Sequence, residues 1–174
     1  MSASRKLLLV SGLALAVWGM GYGLWYALFA EHQALDQMGA SLANAFARAA
    51  ERRMPEAHAA LEAFAQTQFN YVRQVDVHSH WTGLAMLLIV FGAIFDRVGF
   101  DERKRFYLAT ILVVGAVSFP LGVVLQTANR GPIPKALAVL GSALVILALA
   151  AVALGFARGN AAERRSPPGE VNRA

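Results

Sequence analysis

Residues 75–95 read VDVHSHWTGLAMLLIVFGAIF, and where the helix containing them begins decides the fold. No charge occurs from Trp81 to Phe95, but that run is short for a bilayer. A helix rises 1.5 Å per residue, so about 20 residues are needed to cross roughly 30 Å of hydrocarbon. The run works as a span if its helix starts above the lipid and enters it at the boundary marked by His78, Ser79, His80 and Trp81.

Three other charge-free stretches, 7–30, 106–126 and 136–157, are each long enough alone. Apolar residues make up 57% of the chain and mean hydropathy is +0.47. The sequence therefore predicts an all-α integral membrane four-helix bundle with spans at 7–30, 81–95, 106–126 and 136–157. The first stretch exceeds the 7–15-residue core of a signal peptide and carries Trp18, Tyr22, Trp25 and Tyr26 toward its far end, so it reads as a retained anchor.

The net charge of +5 does not point to nucleic acid, because the basic residues flank spans rather than forming one face. Arg5 and Lys6 lie in the 1–6 leader. Arg97, Arg103, Lys104 and Arg105 lie in the 96–105 link, and Arg158, Arg164, Arg165 and Arg173 in the 158–174 tail. By the positive-inside rule these three segments are cytoplasmic, and segments 31–80 and 127–135 lie outside a bacterial-type inner membrane. The Pro-rich tail 158–174 is expected to be disordered. Arg103, Lys104 and Arg105 are candidates for binding anionic lipid headgroups.

Segment 31–80 is rich in Ala, Gln, Glu and Arg, which favour helix. Leu35, Met38, Leu42, Phe46 and Ala49 recur at three- and four-residue steps, as do Leu61, Phe64, Gln68 and Val72. Pro55 suits the first turn of the second helix. The expectation is an extracytoplasmic helical hairpin turning near Met54, with paired residue numbers summing to about 108–111. That register brings Glu31 and His32 level with His78 and His80.

Imidazole and carboxylate are ligands for transition metals, and imidazole for haem iron. Glu31, His32, Asp76, His78 and His80 form the candidate site, with His32 and His80 ranked ahead of His78. In a continuous helix His78 and His80 point about 200° apart, so their joint use requires a break at Ser79. There is no cysteine, no HExxH, GxSxG, P-loop or dinucleotide fingerprint, and no ionisable Asp, Glu, Lys, Arg or His inside a span. Independent catalysis and self-sufficient transport are not expected.

Two functions fit this reading. One is an accessory to redox or metal handling whose outer histidines hold a transition metal or haem. The other is a structural or assembly subunit without a cofactor. Its hairpin would dock through Leu35, Met38, Leu42, Leu61 and Phe64 onto a larger membrane complex or a second copy.

Overall fold

The computed structural model describes residues 1–163. Among these residues five α-helices follow one another, α1 Ala3–Phe29, α2 Glu31–Ala50, α3 Met54–Ile94, α4 Glu102–Ala128 and α5 Pro132–Glu163, with one 3-10 turn at Phe95–Arg97. Four of them, α1, α3, α4 and α5, are long and apolar enough to cross a membrane. The protein is an all-α, multi-pass membrane bundle.

The opening stretch belongs to α3, which runs unbroken for 41 residues. At 1.5 Å per residue it is about 62 Å long, twice the hydrocarbon thickness. Ser79 is exposed and no break or cap occurs there. Pro55 stands in the first turn, where its missing N–H costs nothing.

Along α3 and into the turn after it, one row of sheltered positions is Ala57, Ala60, Phe64, Thr67, Tyr71, Gln74, His78, Trp81, Ala85, Leu88, Gly92 and Phe95, with fully buried Val77 beside it. They alternate at steps of three and four, the spacing of a coiled-coil seam. The facing seam is shared by two helices. Leu8, Gly12, Leu15, Gly19, Tyr22 and Tyr26 supply it from α1, and Ala34, Met38, Ser41, Ala45 and Arg48 from α2. A slight irregularity at Ala30 joins α1 to α2, and both pack antiparallel on α3.

The upper part of this seam corrects the expected faces. Small residues turn inward, with Ala45, Ala57 and Ala60 buried, while Leu35, Leu42, Phe46 and Leu61 remain outside. The register differs too. Glu31 accepts a hydrogen bond from Tyr71, and Tyr22 donates one to Gln74. A Cβ on Gly12 would meet Ile89 and Ala85, and one on Gly19 would meet Trp81 and Thr82. Paired numbers thus sum to about 96–102, not 108–111. The physical reason is that glycines and alanines let the backbones close up only in this alignment. The turn closes within Glu51–Arg53, with Arg52 in the left-handed region at φ 59° and Arg53 N–H bonded to Arg48 O at 2.9 Å. Arg48, Arg53, Glu51 and Glu56 form exposed ion pairs around the tip.

The remaining two spans form a second hairpin. Gly115, Gly122 and Gly141 lie where α4 and α5 approach most closely. The helix α4 continues through Pro120, which is buried among its neighbours. Both α1 and α3 pack on α4, whose other side carries α5. The apolar core, which includes Leu88, Phe95, Leu112 and Val152, spans these elements. Helix α5 extends to Glu163, beyond the predicted end of span four at 157. The rest of the predicted tail lies outside the described residues.

Candidate functional site

The helix continuity that makes α3 a 41-residue rod also disperses the histidines. His78 occupies the seam, where its Nδ1 lies 2.9 Å from the carbonyl oxygen of Gly19. Its ring fills the space beside Gly23, where a Cβ would overlap it. His80, two residues on, points to α4 and stacks at 4.6 Å on Phe119, with the rings tilted by 46°. His32 and His58 are exposed on the upper hairpin.

Glu31, the neighbour of His32, is level with Tyr71. Tyr71 stands nine residues above His80, about 13 Å along the axis at the helical rise. Asp76 pairs with Arg73 at 3.6 Å. So Glu31, His32, Asp76, His78 and His80 are not gathered, and no three His, Cys, Asp or Glu side chains converge as metal ligands among the described residues. The geometry instead gives His78 and His80 packing roles: one as a hydrogen-bonded key in a glycine notch, the other as an aromatic contact.

The basic triplet is also divided. Arg105 is only 17% exposed and lies 3.1 Å from Glu102 and 3.7 Å from Asp96. Lys104 pairs with Asp101 at 3.0 Å, and Arg103 lies over the Tyr107 ring. Arg105 belongs to a network tying the chain start to the 95–102 link. Buried Ser4 donates through its N–H to Glu102 at 3.0 Å, Ser2 donates to Asp96 at 2.6 Å, and Arg5 reaches Asp96 at 3.3 Å. The Ser2 hydroxyl, aided by Arg5 and Arg105, holds the Asp96 carboxyl below its ordinary range. Lys104 does the same for Asp101. This end is a fastening, with Arg103 and Lys104 as its outward cations.

The most unusual surface is on the hairpin. Because α2 and α3 run antiparallel, the positions that follow their seam residues lie on one side of the pair. That side carries His32, Leu35, Gly39, Leu42 and Phe46 from α2, and Met54, His58, Leu61, Ala65, Gln68, Val72 and Val75 from α3. None is Asp, Glu, Lys or Arg. Phe46 is 68% exposed, and Leu35, Leu61 and Val72 are each close to half exposed. The opposite side differs sharply, with Gln33, Gln37, Asn44, Glu56, Gln66 and Asn70. Gln33, Gln37 and Asn70 line a common hollow, which fixes that side as one continuous surface.

Of the expected docking residues, Leu35, Leu42 and Leu61 lie on the apolar side. Met38 and Phe64 instead occupy the seam. Phe46, Val72 and Met54 are additions that the sequence could have revealed once the alanine-and-glycine seam was taken as the inner face.

In comparisons with known proteins, no family model, curated protein or solved structure matches this chain.

Proposed function

We propose that this protein is a non-catalytic membrane subunit whose protruding hairpin docks onto another polypeptide through its apolar side. One observation carries the reading: the hairpin buries Ala45, Ala57 and Ala60 while Leu35, Leu42, Phe46 and Leu61 stay exposed. Burying a Leu or Phe side chain contributes about 1.5–3 kcal/mol, against roughly 0.8 kcal/mol for a single methylene-sized group. A hairpin stabilised only by its own seam would gain more by turning its large residues inward. A second layer on the uncharged side supplies the missing burial, as apolar patches rimmed by polar residues do at protein interfaces.

The distribution of Lys and Arg supports an orientation with the hairpin outside and both chain ends in the cytoplasm. The partner then approaches from the external face of the membrane, or beside it within a larger complex.

The test uses the chain's lack of cysteine. Single cysteines replacing Leu42 or Phe46 in native membranes should cross-link into one discrete adduct. A cysteine replacing Asn44, on the opposite side, should not. Leu35→Glu combined with Leu61→Glu should abolish the adduct while leaving helix content and detergent-solution melting nearly unchanged. Adduct size then separates a second copy from a different subunit. If both stripe cysteines react with water-soluble maleimide as fast as the Asn44 cysteine, and no adduct forms, the reading fails.

A further inference from the structure

Below the hairpin, α1, α3 and α4 together line an open cleft of about 590 Å³. Leu15, Trp18, Tyr22, Trp81, Val117 and Leu121 are among its walls, and nearly all the surface it offers is apolar. The aromatic wall is held in shape. Trp81 makes edge contacts with Trp18 at 6.0 Å and with Tyr22 at 5.2 Å.

Directly above lies a second hollow of about 200 Å³ with different chemistry. Tyr26, Gln33, Gln37, Asn70, Tyr71 and Gln74 supply amides and phenols to it. The two spaces meet at one hydrogen bond, because Tyr22 lines the lower and Gln74 lines the upper. Tyr26 stands one helical turn above Tyr22 on α1.

We infer that the two hollows together bind one membrane amphiphile, a lipid with an uncharged, hydroxyl-bearing head group. Its tail lies along the aromatic cleft within the hydrocarbon, and its head sits among the amides and phenols at the boundary. An apolar space capped by a few convergent polar groups is the usual form of a small-molecule site. The head group's charge follows from the lining. No cation lines the upper hollow; the nearby Arg73 is paired with Asp76. Glu31, bonded to Tyr71 at the rim, disfavours a phosphate. The Oδ1 of Asn70, a residue that lines the upper hollow, has no protein hydrogen-bond partner, and turning that side chain toward the hollow lets a ligand hydroxyl satisfy it.

The experiment is native mass spectrometry and competition on the full chain in nanodiscs, using a monohexosyl diacylglycerol and a phosphatidylglycerol with the same acyl chains. The glycolipid should bind saturably, one per chain, with at least about tenfold preference. Val117→Trp and Ala14→Trp, which each fill the cleft from an exposed position, should abolish that binding. Val114→Trp, on the same helix but outside the cleft, should preserve it. Asn70→Leu with Gln74→Leu should remove the head-group preference. Equal or tighter binding of phosphatidylglycerol, or glycolipid binding that survives both cleft-filling variants, overturns the assignment.

Discussion

Gly141→Val is expected to destabilise the bundle by about 3 kcal/mol or more and to release α5 from α4. A Cβ at Gly141 would overlap the backbone of Phe119, and one at Gly122 would overlap the backbone of Ala138. A flexible side chain can swing away from an added methyl group, but these obstacles are main chain. The helices must therefore separate, and overpacking of a tight contact typically costs 1–3 kcal/mol, occasionally more. The cost falls at the upper end because α4 is the helix on which α5 packs. Without a hydrophobic force between helices inside lipid, close backbone approach is the main attraction. SDS or steric-trap unfolding in bicelles measures the loss. Gly83→Ala is the control, since nothing lies within 4 Å of its added Cβ. It should be neutral or stabilise by up to about 1 kcal/mol through helix propensity. Equal effects from both substitutions would contradict the packing argument.

Trp81→Ala should cost about 3 kcal/mol by the same measurement. Trp81 is 5% exposed, its Cβ sits 3.0 Å from where a Cβ on Gly19 would be, and its ring buttresses Trp18 and Tyr22. Truncating a buried Phe or Trp typically costs 3–5 kcal/mol, part of it from the cavity left behind. The lower end applies here because the vacated space opens onto the lipid-facing cleft and can be filled by acyl chains. Trp81→Phe keeps an aromatic edge against Tyr22 and should cost about 1 kcal/mol. A loss below that for the alanine variant would mean that α1 is not held at this point.

The number of spans and the hairpin between the first two were legible because charge-free length and helix period are local properties. That the helix of the 81–95 run begins far upstream, at Met54, followed from the shortness of that run. What could not be read was the rotation of α2 and of upper α3. Leu42 and Phe46 mark an apolar stripe, and ordinary amphipathic logic turns it toward the partner helix. The parallel stripe of Ala34, Ser41 and Ala45 competes with it, and small residues win where they allow the backbones to approach. That rotation, together with a tip closing at Arg52, moved the register. His32 was left level with the Tyr71 region rather than His80, which removed the expected ligand set. Gly19 and Gly23 stand four apart in the sequence, a spacing that suits close helix packing, but their use as a notch for His78 depends on a helix distant in sequence.

Disulfide trapping of residue pairs in native membranes tests the small-residue seam most directly. With paired numbers summing to about 102, buried Ala45 of α2 should face buried Ala57 of α3, so cysteines at these two positions should oxidise rapidly to a cross-linked hairpin. Cysteines replacing His32 and His80 should remain unlinked. Efficient trapping of the His32–His80 pair, or of Leu42 with Phe69, while the Ala45–Ala57 pair stays reduced, would contradict the seam and the outward apolar side with it.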